Sequence, residues 1–522
     1  MKVILSDPII EVDGWLPEME QLGQFTLRVR KTPEEMREER ARKRQRYGDG
    51  AFKVTPTRNV PQTCISHPDG RQDVAYFLPG LWPRVKAWME KHHIQFELTD
   101  RRNPDIRPEM DYSAFDGVEF RAQQDVLMAL VATSDCGIID TPTAFGKSFC
   151  ISMLCKAYPT LNIVVATGSV QVVKTLYEYL CKTIPGEVGI LGGGLDRVAG
   201  KRVIVSTLKS LPNIKPDNVQ LLLVDECHQV GANDAGKAVM QFCWARRFGF
   251  SASTHRNDGS DLFMEALFGP TILKMEYQEA VEAGSVVPMR YLMLPCTGCP
   301  PIAKKPDLSE VMLKRMSYWV NRSRNGAIRQ FVYALKEVYN GQILIMVSTL
   351  EAAIQLHMML PWFKVAYYGS TDLEDMAVKF PKEKYPNVDL KQYKTTQKQL
   401  DMIRGAFAKG TLRYVISTKV FRQGVDFKHL RCLIRADGDV SSIEGIQIPG
   451  RLARLDEGKN CAYLVDIDDQ FSQWAHNRSQ ARERLYQQMQ WTKVSYQEVL
   501  NGLGNRAEGD GDKPAVEPCG GD

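Results

Sequence analysis

The octapeptide Thr141-Pro-Thr-Ala-Phe-Gly-Lys-Ser148 joins a short apolar run, 137–140, to a helical pattern that extends from Lys147 to Ala157. A strand, a loop and a helix in this order are the context in which a protein loop binds phosphate. Backbone N–H groups at the turn face the anion, and the positive end of the helix dipole favours negative charge there. The sequence therefore predicts a phosphate-binding loop at the start of an α/β domain.

Each residue of this loop has an expected role. Lys147 would reach the β- and γ-phosphates of ATP, and the hydroxyl of Ser148 would bind Mg²⁺. Further contacts to the phosphates are expected from Thr143, Ala144, Phe145 and Gly146. The strict pattern has glycine where this chain has Thr141, so the loop alone leaves plain turn chemistry before a helix as an alternative.

A second polar cluster favours the phosphate-binding interpretation. The run Leu221-Leu-Leu-Val-Asp-Glu-Cys-His228 ends an apolar segment abruptly with two carboxylates and an imidazole. Such a run is typical of a parallel strand buried on both faces, with its polar groups at the carboxyl end. Asp225 is predicted to hold Mg²⁺ and Glu226 to activate an attacking water, with His228 beside them as a catalytic candidate. A strand that happens to end in an acidic turn is the alternative.

Composition excludes several classes of protein. With 522 residues, 44% apolar and 25% charged, the chain has the composition of an ordinary soluble globular protein of several domains. It contains no membrane-length apolar run and no signal-peptide pattern, so we expect a cytoplasmic protein without a membrane partner. The twelve cysteines are scattered, as reduced thiols usually are, and the pair Cys296 and Cys299 is weak evidence for zinc. A net charge of +5 permits nucleic-acid binding without requiring it.

Two series of short apolar runs alternate with helical patterns. After the run at 137–140, the first series continues at 161–167, 202–207, 221–226 and 248–253. The second occupies 342–347, 364–368, 412–418, 431–436 and 461–466. Repeated β–α–β patterns predict two tandem α/β domains, each a doubly wound parallel sheet with ligand groups at the carboxyl ends of the strands.

The N-terminal part of the chain lacks this rhythm. Segment 31–46 is almost wholly charged and is interpreted as a solvated helix or arm, with phosphate contact as the alternative; 81–98 predicts a helix followed by a strand. The tail 501–522 is glycine-rich and acidic and is predicted to be disordered. The expected domains are an accessory, substrate-recognition domain, an ATP-binding α/β domain, a second α/β domain and the tail, at 1–112, 113–285, 286–500 and 501–522.

Six blocks follow one another in a recognisable order. They are Phe120-Arg-Ala-Gln-Gln124, the phosphate loop, the Asp-Glu-Cys-His box, Ser251-Ala-Ser253, Thr418-Lys-Val-Phe-Arg-Gln-Gly-Val-Asp426 and Gln447-Ile-Pro-Gly-Arg-Leu-Ala-Arg454. In this order the chain resembles the superfamily 2 DExH helicases and translocases from Phe120 to Asp466. The resemblance implies two RecA-like domains with a small α+β N-terminal domain, and ATP and Mg²⁺ as cofactors.

The resemblance also implies roles for residues outside the phosphate loop. Arg451 and Arg454 would neutralise charge on the γ-phosphate as it transfers. Other contacts to the nucleotide would come from Arg121, Gln124, Gly424, Asp426 and Gln447, with Gln124 near the adenine. Contacts to the nucleic-acid backbone would come from Thr167, Thr207 and Thr418. Ser251-Ala-Ser253 resembles the coupling motif that links hydrolysis to strand movement. The chain departs from the family at Ala144-Phe145, where small residues are usual, so the ring of Phe145 is expected to point away from the nucleotide. It also departs at Ser253, where threonine is usual, and at Thr254, where proline is usual.

The substrate is predicted from two further features. Thr254-His-Arg-Asn-Asp-Gly259 and the N-terminal segment are most similar to UvsW-type phage branch-migration helicases and to XPB- and RecG-type DNA remodellers. They imply a monomeric ATP hydrolase that unwinds or migrates duplex, forked or branched DNA, with a single strand in the motor channel. An RNA helicase with the same motor, a nucleic-acid-binding scaffold without turnover and the motor of a restriction system are the alternatives.

Overall fold

The computed structural model describes residues 1–47, 57–231, 234–252, 259–297, 309–367, 373–421, 428–440 and 449–504. The chain forms two compact units, Met1–Glu276 and Tyr277–Asp522. The domain limits expected from the sequence, at 112/113 and 285/286, stay predictions. Within the described stretches, no helix is both long enough and apolar enough to cross a membrane.

The first unit begins with a small sheet that has its own core. Its elements are β1 (Lys2–Leu5), β2 (Ile10–Asp13), β3 (Gln24–Arg30), α1 (Pro33–Tyr47), β4 (Thr57–Thr63), β5 (Ile65–Ser66), β6 (Val74–Phe77), α2 (Trp82–Lys91) and β7 (Glu97–Asp100). The sheet has the order β5-β6-β2-β1-β7, and β3 pairs with β4 in a separate ribbon. Alternating residues of the sheet, among them Val3 and Val12, pack with Val85 and Met89 of α2. We call residues 1–112 the N-terminal module.

The rest of the first unit is a parallel α/β sheet. Its elements are α3 (Gln124–Thr133), β8 (Cys136–Asp140), α4 (Lys147–Ala157), β9 (Ile163–Thr167), α5 (Val170–Thr183), β10 (Val188–Gly192), β11 (Leu195–Arg197), β12 (Val203–Thr207), β13 (Leu221–Asp225), α6 (Asp234–Met240), β14 (Arg246–Ser251), α7 (Asp261–Phe268) and β15 (Thr271–Lys274). The order is β11-β10-β12-β9-β13-β14-β8-β15, parallel except for the β10–β11 hairpin. Every residue of β9 and β13 is buried, as expected for central strands covered on both faces.

The second unit contains another parallel sheet. Its elements are α8 (Tyr277–Glu282), β16 (Met289–Cys296), α9 (Glu310–Lys314), α10 (Arg322–Val338), β17 (Gln342–Met346), α11 (Leu350–Met359), β18 (Lys364–Ala366), α12 (Leu373–Lys379), α13 (Gln397–Ala408), β19 (Tyr414–Ser417), β20 (Leu430–Arg435), β21 (Ala462–Asp469), α14 (Gln473–Gln488), β22 (Thr492–Lys493) and α15 (Tyr496–Gly504). The order is β18-β19-β17-β20-β21-β16-β22, and every neighbouring pair is parallel.

The two large sheets share one strand order. When the strands are numbered along the chain within each sheet and the hairpin strand β11 is left aside, both sheets have the order 3-4-2-5-6-1-7. The equivalent pairs that matter here are β12 with β19, β13 with β20 and β14 with β21. The predicted pair of RecA-like, doubly wound domains is confirmed, and the groups at equivalent strand ends can be compared directly.

The N-terminal module packs directly on α7 of the adjoining sheet. Ala266 of α7 belongs to the module's apolar core. A Cβ atom at Gly80 would collide with the backbone carbonyl groups of Glu265 and Ala266, so only glycine permits this close approach. Arg84 forms an ion pair with Glu265 at the same contact. The module is therefore built onto the first α/β sheet rather than tethered to it.

All the strands predicted from apolar runs are present, with ends shifted by one to three residues. The helix–strand pair predicted at 81–98 is α2 and β7, and the charged segment 31–46 lies in α1. The sequence analysis missed β1–β6 of the N-terminal module and β10, β11, β15, β16 and β22 of the large sheets. The sequence of β10, Val-Gly-Ile-Leu-Gly, has the glycine content of a turn, β11, β15 and β22 are very short, and β16 directly follows the assumed break between domains.

Candidate nucleotide-binding site

The phosphate loop adopts a backbone that side chains rarely take. Ala144 has a φ of 80° and Gly146 a φ of 97°, both in the left-handed region. For alanine this conformation costs about 1–2 kcal/mol. Gly146 is the N-cap of α4, and a Cβ atom there would lie 2.6 Å from Nε2 of Gln124. Strain of this kind persists where surrounding contacts fix it, and it concentrates at ligand-binding sites.

Gln124 supplies the contacts that fix the loop. Its side chain is 2% exposed, its Oε1 accepts a hydrogen bond from the N–H of Arg121 at 3.0 Å, and its Nε2 donates to the carbonyl oxygen of Phe145 at 2.6 Å. Phe145 is fully buried, which agrees with the expectation that its ring points away from a nucleotide. Nη1 of Arg121 lies 3.5 Å from the carbonyl oxygen of Ala144. The structure thus places Gln124 and Arg121 against the loop, where Gln124 holds its shape.

Lys147 is the first residue of α4 and lies among carboxylates. Its Nζ donates to the carbonyl oxygens of Thr141 at 2.7 Å and Pro142 at 3.1 Å. Burial lowers the pKa of Lys147, and the negative charges of Glu226 and Asp225 oppose that shift. Phosphate oxygens could take the place of the two carbonyl groups as hydrogen-bond acceptors. The ammonium group is therefore positioned to bind an anion in front of the loop.

The two acidic residues lie at the carboxyl end of β13. Asp225 is the last residue of this buried strand and is 7% exposed. Glu226 follows it with a φ of 55°, and its N–H donates to Oδ1 of Asp225 at 3.1 Å. The left-handed conformation ends the strand abruptly. As a result the carboxylate of Glu226 stays partly exposed, with 24% of its side-chain surface accessible, while Asp225 remains inside.

His228 links these acids to the neighbouring strand. Its ring is 4% exposed, and Nδ1 lies 3.0 Å from Oγ of Ser251 and 3.3 Å from Oε2 of Glu226. Ser251 ends β14 and is completely buried. The first residue of the predicted coupling block is therefore in contact with the predicted catalytic box. Ser253 and 254–258 lie outside the described residues.

The donor set fits Mg²⁺ bound together with a nucleotide. Mg²⁺ prefers hard oxygen ligands and usually keeps waters and phosphate oxygens beside one or two carboxylates. Asp225 offers a carboxylate, and Ser148 offers an exposed hydroxyl in the first turn of α4. Oγ1 of Thr141 is buried and has no hydrogen-bond partner among the described residues, so a ligand or water at the loop would satisfy it.

Thr167 and Thr207 are cross-strand neighbours at the carboxyl ends of β9 and β12. They are 1% and 5% exposed. The hydroxyl of Thr207 lies 2.8 Å from Oγ of Ser210, and it also accepts a hydrogen bond from the backbone N–H of Ser210 at 3.0 Å. The Thr207 side chain therefore already takes part in a turn. The structure brings the two threonines together at the same edge of the sheet as the nucleotide-site candidates.

Thr418 occupies the equivalent position in the second unit. It follows β19, whose counterpart β12 ends in Thr207, and it is 5% exposed. In both strands the preceding serine is buried and its hydroxyl donates to the carbonyl oxygen of the threonine, Ser206 at 3.1 Å and Ser417 at 2.9 Å. The two sheets therefore end their fourth strands in the same Ser-Thr arrangement.

Arg451 and Arg454 flank a short turn that is anchored in the second unit. The turn Arg451–Ala453 buries Leu452 and Ala453, and the carbonyl oxygen of Ala453 accepts from the N–H of Val287 at 2.8 Å. Both arginines are partly exposed. Gly424, Asp426 and Gln447, predicted to contact the nucleotide, lie outside the described residues, as do Cys299 and the end of the tail, 505–522.

A buried ionic network in the second unit was missed by the sequence analysis. Arg324 pairs with Asp469 at 2.7 Å, and Arg482 pairs with Asp466 at 2.8 Å, with all four side chains at most 1% exposed. Burial alone would raise the pKa of Asp466, but the neighbouring guanidinium groups hold it below its ordinary value. The run Asp466-Ile-Asp-Asp469 at the end of an apolar strand was the available signal.

This network holds the backbone that follows β20. Nη1 of Arg324 donates to the carbonyl oxygen of Ala436 at 2.9 Å, and Nη1 of Arg482 to that of Gly438 at 3.4 Å. Nη2 of Arg435 donates to the carbonyl oxygen of Asp439 at 2.8 Å. Three buried guanidinium groups thus fix 436–439, the described stretch that precedes the turn with Arg451 and Arg454.

The chain matches two protein-family models. Residues 117–256 match the model described as "Type III restriction enzyme, res subunit", and residues 326–456 match "Helicase conserved C-terminal domain". The first match falls on the α/β part of the first unit and the second on the second unit. Helicase domains imply a nucleic-acid-dependent ATPase.

Similar proteins were found by sequence and by structure. "Putative helicase 22" of Sulfolobus islandicus filamentous virus is 24% identical and covers 74% of this chain and 71% of its own. "DNA 3'-5' translocase XPB2" of Sulfurisphaera tokodaii is 22% identical and covers 67% of this chain and 82% of its own. The structure of S. cerevisiae Dbp5 bound to RNA and ADP BeF3 has a TM-score of 0.51 at 12% identity, over 75% of this chain and 96% of its own, which shows a shared fold.

With one of these family matches in each unit and XPB2 among the relatives, the predicted resemblance to superfamily 2 helicases, XPB-type proteins among them, is confirmed. The chain is of the helicase and translocase kind. The DExH subtype and the roles of individual residues stay predictions.

Proposed function

We propose that the chain is a Mg²⁺–ATP-driven helicase or translocase that acts on duplex or branched DNA. One observation carries the proposal: Lys147, Asp225 and Glu226 meet at one edge of the first large sheet, directly behind a strained loop that leads into α4. These are the cation, the metal-binding carboxylate and the base that phosphoryl transfer to water requires. The helicase relatives support the same chemistry.

In this proposal each group of the first unit has one task. The ammonium of Lys147 leaves the carbonyl oxygens of Thr141 and Pro142 and binds the β- and γ-phosphates. Ser148 and Asp225 hold Mg²⁺, which neutralises phosphate charge when bound. Glu226, the more exposed of the two acids, orients and deprotonates the attacking water.

The second unit supplies the positive charge that the transition state needs. The backbone of the turn at Arg451 and Arg454 is held by the hydrogen bond to Ala453, so the backbone from which the two side chains extend is fixed. Guanidinium groups that neutralise charge on the transferring phosphoryl group raise hydrolysis rates by about 10³–10⁵. Hydrolysis then requires both units, and its cycle moves them against each other on the bound strand.

His228 couples the chemistry to the strand. Its Nδ1 contacts both Glu226 and Ser251. A change in the charge or position of Glu226 during hydrolysis would therefore alter the contact with Ser251 at the end of β14. Ser251 opens the block that the family uses for coupling. The proposed role of His228 is to pass the state of the nucleotide site to that block.

DNA is favoured as the substrate over RNA. The XPB2 relative is named a DNA translocase, and it covers two thirds of this chain. Thr207 and Thr418 lie at the ends of equivalent β-strands in the two units. In this proposal each unit contacts backbone phosphates of one nucleic-acid strand through a threonine at that position. Contacts to phosphate carry no base information, so binding would depend little on sequence.

The proposal is tested by ATP hydrolysis measured with single-stranded, duplex and forked DNA and with RNA, using Glu226→Gln as the inactive control. We expect stimulation by DNA, strongest with forked DNA, a weaker response to RNA, and a loss of stimulation as salt is raised. Stronger stimulation by RNA than by any DNA would identify RNA as the substrate instead. Nucleic-acid binding without any turnover would support the scaffold alternative instead.

A further inference from the structure

A cavity of about 230 Å³ lies where the N-terminal module meets the first large sheet. It is lined by residues at or next to the amino ends of β8, β14 and β15, namely Cys136, Arg246 and Ile272. Because the strands of this sheet are parallel, their amino ends lie at the edge opposite the phosphate loop. From the module, Leu5, Ile10 and Trp82 give the cavity an apolar wall. The cavity is therefore separate from the proposed nucleotide site.

Two consecutive buried arginines, Arg246 and Arg247, line the cavity from β14. They are 3% and 2% exposed, and they point to opposite faces of the sheet because they are neighbours in a strand. Nη2 of Arg246 donates to the carbonyl oxygen of Ser134 at 2.8 Å, beyond the end of α3, and Nε of Arg247 donates to that of Leu267 at 2.7 Å, in the last turn of α7. The negative ends of two helices thus compensate part of their charge.

The cavity nevertheless has an excess of positive charge. Arg102 and Arg107 also line it, but both pair with Asp135, Arg102 pairs with Asp100 as well, and Arg107 pairs with Asp7. Four guanidinium groups are therefore accompanied by three carboxylates. Neither of the two buried arginines of β14 is within ion-pair distance of a carboxylate among the described residues. Their charges have no counter-ion there.

A further observation shows that the charge of Arg246 is incompletely satisfied. Nε of Arg246 is buried and has no hydrogen-bond partner among the described residues. Arg247 donates to four backbone carbonyl oxygens, those of Leu267, Phe242, Cys243 and Ala245, and burial lowers its pKa. Buried charges are normally paired, because an unpaired one loses its hydration without compensation. An anion in the cavity would provide the missing partner.

We propose that this cavity binds a small organic anion, a carboxylate or phosphate monoester that carries an apolar group. The acidic group pairs with Arg246, whose Nε lacks a partner, and the apolar group lies against Leu5, Ile10 and Trp82. The volume is below the 300 Å³ or so at which drug-sized ligands begin, so the ligand is of fragment size. Because its walls come from both the module and the sheet, the bound anion strengthens their joint. The site uses no residue of the proposed nucleotide site and does not depend on the proposed function.

The test uses the full chain, with benzoate and phenyl phosphate as probes and benzyl alcohol as the neutral control. Binding is measured by titration calorimetry and by the shift in the midpoint of thermal unfolding. We expect saturable binding of both anions, a raised midpoint, and no saturable binding of benzyl alcohol. Phenyl phosphate is also titrated into Lys147→Ala protein, because an anion held at the phosphate loop would lose affinity there and one in the cavity would not.

A matched pair of variants at Ser6, which lines the cavity from the module, locates the site. Ser6→Glu introduces a carboxylate that offsets the positive excess, and Ser6→Gln introduces a neutral side chain of the same size. We expect Ser6→Glu to weaken benzoate binding by more than about tenfold and Ser6→Gln by less than about threefold, since only the first adds a like charge beside the anion. Circular dichroism confirms that both variants are folded.

Three results would overturn the proposal. One is the absence of saturable anion binding by the unaltered chain. Another is equal weakening by Ser6→Glu and Ser6→Gln, which would mean that occupied volume rather than charge decides binding. The third is benzoate binding that Ser6→Glu leaves unchanged, which would place the anion elsewhere. ATP hydrolysis enters none of these results, so failure of the proposed function would leave them interpretable.

Discussion

The two large sheets share one strand order, but the charged residues at equivalent strand ends lie in different surroundings. In the first, the fifth strand, β13, ends in Asp225 beside a partly exposed Glu226. In the second, the equivalent strand β20 ends in Arg435, which is 3% exposed and hydrogen-bonded to a buried tyrosine, Tyr486, at 2.9 Å. One strand end leaves a carboxylate partly exposed, and the other keeps its charged group buried. The scaffold fixes where charged groups can lie, and burial decides whether they do chemistry or hold structure.

The sixth strands show the same contrast. β14 ends in Ser251, whose hydroxyl contacts His228 of the proposed catalytic box. Its counterpart β21 ends in an acidic run whose members Asp466 and Asp469 pair with Arg482 and Arg324. Among the described ends of the fourth, fifth and sixth strands, those of the fourth agree between the two units, in their Ser-Thr arrangement. The comparison separates groups that we expect to matter for turnover from groups that we expect to matter for stability.

The largest effect should come from the exposed acid of the first unit. Glu226→Gln removes the base but keeps the shape, so we expect ATP hydrolysis to fall by about 10²–10⁴ while the unfolding midpoint stays close to that of the parent. Hydrolysis and thermal unfolding are measured on the same preparation. Glu178→Gln, on the exposed side of α5, is the control and should retain the parent rate. A parental rate in Glu226→Gln would remove Glu226 from the mechanism.

The reverse pattern is expected in the second unit. Arg482→Gln leaves Asp466 buried without its partner, and removing one member of a buried ion pair costs about 3–5 kcal/mol. We expect the free energy of unfolding of the second unit, measured in urea, to fall by that amount, while nucleotide binding at the first unit persists. Arg484→Gln, exposed on the same helix, is the control. If both variants are equally stable, the network does not hold the unit together.

A smaller effect is expected at Gln124, which is buried in the first unit but contacts only the backbone. Gln124→Ala leaves the N–H of Arg121 and the carbonyl oxygen of Phe145 without partners, at about 1–3 kcal/mol for a buried unsatisfied group. The affinity for a fluorescent ATP analogue should fall together with the stability, because the loop loses the hydrogen bonds of Gln124 that hold its shape. Asp125→Ala, exposed on the next position, should alter neither quantity. Unchanged affinity in Gln124→Ala would show that the loop keeps its shape unaided.

The smallest effect is expected at Ala144. Replacing it with glycine relieves the left-handed strain but adds backbone freedom to the unfolded chain, and these terms nearly cancel, so the free energy of unfolding should change by less than about 1 kcal/mol. Ala144→Val at the same position should be clearly destabilising, because a β-branched residue tolerates this backbone poorly. Equal stability of the two variants would mean that the loop does not hold this conformation in solution.

Sequence patterns predicted the scaffold better than its local chemistry. The apolar runs were sufficient for five strands of each large sheet because parallel strands covered on two faces must be apolar, as β9 and β13 are. That Lys147 and Asp225 lie close together could be predicted because the loop after β8 and the carboxyl end of β13 meet at the same edge of a parallel sheet, while their roles stay predictions. The hydrogen bonds by which Gln124 holds the loop could not be predicted, because both partners are backbone groups, which no residue type in the sequence reveals. The ion pair of Arg324 with Asp469 could not be predicted either, because the two residues lie far apart along the chain.

In the proposed mechanism, a nucleotide bound by the first unit is hydrolysed with the help of arginines from the second. Arg454→Ala tests this division of labour, with ATP affinity and single-turnover hydrolysis measured side by side in the presence of forked DNA. We expect affinity within about twofold of the parent and hydrolysis slower by about 10³ or more, the size of an arginine-finger effect. Hydrolysis at the parent rate would contradict it and would assign turnover to the first unit alone.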